Sequence, residues 1–175
     1  NGVGVCFDIE DYNWKTATGL GVYGFGNEEI RCIDIDGCRS EEFLFSFLKS
    51  IGLPENYPWL VKTGSGEGYH IWVWCTSFPE NLLLFGESNA IYRDSHVLFF
   101  FSDYGFQNTF KTIEVRWNAF CMLPPSIGPS GNEYSFMFGL PREGFTKVKS
   151  DVLFETITSI AKNSTIDYAN IVQHD

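Results

Sequence analysis

Basic residues are scarce: 12 Lys and Arg stand against 22 Asp and Glu, a formal net charge of −10. General binding to DNA or RNA rests on dense Lys and Arg at the phosphates. Any nucleic-acid role must therefore come from a local site, a metal or a partner domain. Long apolar runs are missing too. The longest, such as LLLF and VLFFF, fall far short of the ~20 residues of a membrane-spanning helix. No basic segment leads into an apolar one at the start, so no signal peptide is expected. The chain opens at Asn1 without Met, which suggests an excised or processed domain. There is no CxxC pair and no Cys/His ladder among Cys6, Cys32, Cys38, Cys75 and Cys121, which argues against a structural zinc site. An odd number of scattered cysteines fits buried free thiols in a reducing compartment, hence a cytoplasmic location. Repeats and low-complexity linkers are absent.

What is present describes a folded chain. Hydrophobic residues make up 44 % and aromatics 17 % of 175 residues. That is enough for a single domain over 1–175 with a full core. The first thirty residues read as short strands joined by turns, with Asp8, Glu10 and Asp11 as a solvated acidic patch. IRCIDID, 30–36, reads as a strand. Ser40 is placed to cap a helix with Glu41 and Glu42 in its first turn. Phe43, Leu44, Phe47, Leu48 and Ile51 form its buried stripe, and Gly52 and Pro54 end it. Residues 59–74 read as strand, glycine-rich turn, strand, and VLFFF at 97–101 as a further strand. KTIEVRW, 111–117, alternates, with Ile113 and Val115 on one face and Glu114 and Arg116 on the other. A short strand, a Pro/Gly/Ser loop and a return fill 120–134. A second helix from Ser150 to about Lys162 buries Leu153, Ile157, Ile160 and Ala161. The order of elements is that of an α+β fold, mostly antiparallel sheet with a few helices.

The strand at 30–36 poses a chemical problem. Side chains i and i+2 share a face, so Asp34 and Asp36 point the same way, opposite Ile33 and Ile35. Two carboxylates within ~5 Å repel by roughly 3 kcal/mol at an effective dielectric near 20. Solvent, a basic side chain, a raised pKa or a divalent cation must offset this. The plain solution is an edge strand with a solvated acidic face. Two other segments also place polar groups on one face of an apolar strand: Ser65 to His70, and Glu114/Arg116. Each has its own plain reading, as a hairpin loop with a hydrogen-bonded histidine and as a cross-strand charge pair. Taken together they fit nucleotidyl transfer. Carboxylates hold hard divalent ions, two ions activate a 3′-hydroxyl and stabilise leaving pyrophosphate, a histidine donates to a triphosphate, and glycines let backbone amides approach phosphate. The Walker pattern GxxxxGK[ST] is absent.

The ordered motifs resemble the prim-pol branch of the archaeo-eukaryotic primase superfamily, the primase-polymerases of phages, plasmids and mobile elements. CIDIDG resembles the first motif, TGSGEGYHIWVW the second, and IEVRWNAFCMLPPSIGPSGNEYSF the third, with ATGLGVYG as the lead-in. The resemblance covers roughly residues 16–140. It implies two lobes, an α/β unit and an RRM-like antiparallel sheet, with the active site between them. It implies that Asp34, Asp36 and Glu114 are catalytic ligands of Mg2+ or Mn2+ in a two-metal site, and that His70 contacts the nucleotide's phosphates. Ser65, Gly66 and Gly68 would shape the turn, Arg116 would reach the triphosphate or primer end, and Ser126 would approach the nucleotide. Lys62 is a further nucleotide-binding candidate that no motif fixes. Pro124, Pro125, Gly131 and Tyr134 would shape the third motif's loop. Implied partners are nucleoside triphosphates, single-stranded DNA template and primer, and a fused or associated helicase or template-binding domain, in a bacterial, archaeal, phage or plasmid setting. Tyr12, Trp14, Tyr104 and Trp117 are available to stack on a single strand. The competing functions are a metal-dependent phosphohydrolase or nuclease, and a non-catalytic nucleotide-binding module of a replication or defence complex. An ordinary α+β domain with solvated acidic strands stands beside them.

Overall fold

The computed structural model describes residue 15 and residues 17–23, 29–75, 90–93, 96–100 and 112–162. The elements are β1 (Leu20–Val22), β2 (Ile30–Asp36), α1 (Glu41–Ser50), β3 (Leu60–Lys62), β4 (Gly68–Cys75), β5 (Ala90–Arg93), β6 (His96–Phe100), β7 (Thr112–Arg116), β8 (Cys121–Leu123), β9 (Ser135–Phe136), β10 (Lys147–Val148) and α2 (Ser150–Lys162). The α+β expectation holds. The acidic patch at Asp8, Glu10 and Asp11, the aromatics Tyr12, Trp14 and Tyr104, and Cys6 lie outside the described residues. Among the described residues no helix is long and apolar enough to cross a membrane.

Seven strands form one sheet in the order β5-β6-β7-β2-β4-β3-β9, and β10 adds to the far end of β4. The ladders are antiparallel except for β10 on β4. β2 is thus flanked on both sides, by β4 and β7. The edge-strand solution to the Asp34/Asp36 problem is therefore corrected: the strand is central. Its alternation of apolar and polar residues assigns the two faces. Ile33, Ile35, Ile71, Val73, Ile113 and Val115 face the helices, in a core completed by Leu44, Phe47, Leu48, Leu153, Phe154 and Ile157. Fully burying each such side chain contributes about 1.5–3 kcal/mol.

Local chemistry sets the boundaries. The Ser40 hydroxyl accepts from the Phe43 amide at 3.1 Å, capping α1, and Lys49 sits in the last turn, where a cation meets the negative helix end. Gly52 follows at φ +84°, a left-handed conformation that suits glycine. The expected stripe is buried, apart from a partly buried Phe43. In α2, Leu153 and Ile157 are buried as expected, Ile160 is only partly buried, the Ala161 side chain lies outside the described residues, and Phe154, which the pattern reading left out, is buried. Cys32, Cys38, Cys75 and Cys121 are buried free thiols, as expected. Arg31 is also buried, opposite its register partner Val73 of the core. Burial draws its pKa down, opposed by Cys75 and Glu29.

On the opposite face a smaller cluster forms from Cys32, Val61, Trp72 and Cys121, with Val22, Leu123, Tyr134 and Phe136 against it. The two-stranded β1–β8 sheet contributes Val22, Cys121 and Leu123 to it, pairing Leu20 with Leu123 and Val22 with Cys121. Part of this face is thus covered and part carries the polar residues.

Candidate active site

Strand register brings the three motifs together. Asp34 pairs with His70 of β4 on one side and with Glu114 of β7 on the other. Residues paired across an antiparallel ladder project from the same face with Cβ atoms ~5 Å apart. Asp36 follows on that face, opposite Gly68 and Thr112. Segments far apart in sequence thereby place a carboxylate, an imidazole and a second carboxylate in one row.

The side chains complete the row. His70 Nε2 lies 3.5 Å from Asp34 Oδ1. Arg116 Nη2 lies 3.2 Å from Asp34 Oδ2 and 2.9 Å from Glu114 Oε2. The Asp34 and Glu114 side chains retain 14 % and 13 % of their exposure, Arg116 25 % and His70 5 %. The Glu114–Arg116 pairing is therefore along one strand, i to i+2, with Asp34 as the cross-strand member. Asp36 is exposed, and its Oδ1 accepts from the Gly37 amide at 2.9 Å. The repulsion posed by the sequence is thus offset in two ways, by a guanidinium at Asp34 and by solvent at Asp36.

Charge follows geometry. Burial pushes the Asp34 carboxyl up, but the hydrogen bond and charge of His70, with Arg116, overcome it and hold Asp34 below its ordinary value. Burial alone would lower the Arg116 pKa, but Asp34 and Glu114 raise it, so the guanidinium stays charged. Burial pushes the Cys32 thiol up. Cys121, hydrogen-bonded to Cys32 and close to Arg116, is drawn down. Arg116 Nη1 donates to the Phe120 carbonyl at 3.1 Å and approaches Cys121 Sγ at 3.9 Å. Cys121 was not among the sequence candidates, and its place beside Arg116 follows from the small sheet folding over β2.

The second motif's turn positions His70. The Thr63 amide donates to the Gly68 carbonyl, the Gly66 amide to the Thr63 carbonyl, and the Glu67 amide to Ser65 Oγ. Ser65 Oγ also bonds Thr63 Oγ1 at 2.9 Å. Ser65 and Gly66 thus shape the turn, and these amides are spent inside it. Gly66 sits at φ +73°. At Gly68 a Cβ would come within 2.9 Å of the Ile35 carbonyl oxygen. The Pro/Gly/Ser loop packs onto the turn: the Ser130 hydroxyl donates to the Gly64 carbonyl. A Cβ at Gly64 would meet the Asn132 carbonyl at 2.7 Å and the Tyr134 ring at 2.9 Å. The Tyr134 ring centroid is 5.7 Å from that of His70. Tyr134 therefore shapes the loop, as expected, and also backs the histidine.

Two sequence candidates are not brought to the row. Lys62 pairs with Tyr69, and its neighbour Val61 pairs with His70. Alternation then puts Lys62 on the opposite, helix-side face. Ser126 is buried, and its hydroxyl donates to the Leu20 carbonyl at 2.8 Å while accepting from the Leu20 amide. It clasps β1 to the third motif's loop rather than facing the carboxylates. Trp117 is half-buried and packs against the main core.

Asp34, Asp36 and Glu114 offer hard oxygen donors on one face, which fits a divalent cation in kind. Among the described residues no three His, Cys, Asp or Glu side chains converge on a single point, and Asp34 and Glu114 close on Arg116 instead. No protein-family model matches the chain, and no curated protein matches it.

Proposed function

We propose that this chain is a metal-dependent primase-polymerase domain, adding nucleoside triphosphates to a 3′-hydroxyl on a single-stranded DNA template and starting chains without a primer. The observation that carries the reading is the register of β2: Asp34 stands between His70 and Glu114, so the motifs of the resemblance meet in one row. In this reading the central sheet and the covering β1–β8 sheet belong to a two-lobed primase-like fold with the site between the lobes.

Asp34, Asp36 and Glu114 are the residues to hold Mg2+ or Mn2+, which when bound would activate the 3′-hydroxyl and neutralise the leaving pyrophosphate. His70 is fixed from both sides, by Asp34 and by the Tyr134 ring. Its buried Nδ1 has no hydrogen-bond partner among the described residues, which leaves capacity to bind a phosphate oxygen. Arg116 carries a planar fork of donors that matches phosphate geometry. Ser65, Gly66 and Gly68 hold the turn that sets the start of β4 and so the height of His70. The acidic balance of the chain argues for template binding shared with a helicase or template-binding domain, in a cytoplasmic replication system of a mobile element.

The test is primer synthesis and primer extension on single-stranded DNA with labelled NTPs and dNTPs, with Mg2+ or Mn2+, beside the double variant Asp34→Ala/Asp36→Ala. Metal-dependent products lost in the variant support templated transfer, and products without a supplied primer support priming. Release of phosphate or nucleotide without template would replace the reading with a phosphohydrolase or nuclease. Metal-dependent nucleotide binding without any product would replace it with a binding module.

A further inference from the structure

Arg116 uses one nitrogen for two carboxylates from neighbouring strands. Its Nη2 lies 3.2 Å from Asp34 Oδ2 and 2.9 Å from Glu114 Oε2. Among the described residues the other end of the fork meets a backbone carbonyl, that of Phe120, and a distant thiol, that of Cys121. The Nε is buried without a hydrogen-bond partner among the described residues. The guanidinium is therefore kept in place by charge more than by a full set of hydrogen bonds, and a quarter of its side chain faces solvent. The oxygens it occupies belong to two of the residues that would hold a divalent cation. Two cations cannot share these oxygens without strong repulsion in a site this buried.

We propose that Arg116 is a displaceable internal counter-ion: it occupies the Asp34–Glu114 pair when no divalent cation is there, and cation binding requires the guanidinium to leave. This rests on the reading of Asp34 and Glu114 as metal ligands. The consequence is a threshold. The free protein binds divalent cations weakly, because every ion must first displace a charge already neutralising the site. The released fork has two-donor geometry suited to a phosphate, so a triphosphate arriving with the metal gives the guanidinium its new partner. By thermodynamic linkage the two ligands then favour each other.

The experiment is a Mn2+ titration of the nucleotide-free protein, with unbound Mn2+ counted by electron paramagnetic resonance. Wild type, Arg116→Gln, Arg116→Lys and Asp34→Asn are compared, each checked for folding by circular dichroism. Arg116→Gln is expected to bind Mn2+ roughly tenfold or more tightly than wild type, while Arg116→Lys, which keeps the charge, stays close to wild type. Equal binding by wild type and Arg116→Gln, with binding lost in Asp34→Asn, would overturn the counter-ion role and leave the metal-ligand reading standing. No Mn2+ binding in any variant would overturn both. Should Arg116→Gln not fold, side-chain 15N NMR of wild-type Arg116 during a Mg2+ titration decides. Faster rotation of the guanidinium as Mg2+ saturates supports displacement, and an unchanged signal at saturation overturns it.

Discussion

Asp34 and His70 are direct cross-strand partners, and the imidazole Nε2 reaches to 3.5 Å from the carboxylate Oδ1. The carboxylate is largely buried, yet His70 and Arg116 hold its pKa below the ordinary value of 3.8. A lowered folded-state pKa means that ionised Asp34 contributes stability above its unfolded pKa, and that this contribution is lost as pH falls through the folded value. Denaturant unfolding should therefore show a loss of stability on acidification below about pH 4. Asp34→Asn should flatten that part of the profile while lowering stability at pH 7. A variant profile parallel to wild type would remove Asp34 as its source.

Ser126 supplies both a donor and an acceptor to the Leu20 backbone. Ser126→Ala should cost about 1–3 kcal/mol, the penalty for leaving buried partners unsatisfied. The effect should appear in the unfolding midpoint and, under the proposed function, leave the KM for nucleotide unchanged. A rise in KM at unaltered stability would instead place the hydroxyl at substrate.

Gly68 starts β4 where a Cβ would stand 2.9 Å from both the Ile35 carbonyl oxygen and Thr63 Oγ1. The carbonyl belongs to the central strand and cannot step aside cheaply. Gly68→Ala should destabilise the protein by about 1–3 kcal/mol, read by thermal unfolding. An unchanged midpoint would mean that the hairpin relaxes freely.

Lys62 is the counter-case. It is exposed and lies on the helix-side face of β3, between β4 and β9, away from the carboxylates. Lys62→Ala should change stability by less than about 0.5 kcal/mol and, under the proposed function, leave nucleotide incorporation as in wild type. A large fall in nucleotide affinity would bring Lys62 back to the site.

Period and punctuation in the chain determined much of the architecture. A two-residue alternation set β2 and β7 with their inward isoleucines and valines. A helical stripe bounded by Ser40 and Gly52 set α1. These are local properties, and short-range sterics and capping are enough to impose them. The same alternation put Asp34 with Asp36, and Glu114 with Arg116, on common faces. Neighbours in space are a different matter. That β2 is central, that Asp34 lies between His70 and Glu114, and that Arg116 closes on both carboxylates depend on strand order and register. Those arise from burying one continuous apolar face against two helices, a property of the whole chain. The exclusion of Lys62 and Ser126 follows from the same cause: the hairpin register turns Lys62 away, and the β1–β8 sheet takes the Ser126 hydroxyl. Residue types determined which chemistry was available to the protein, and only the packed sheet decided which of those groups meet.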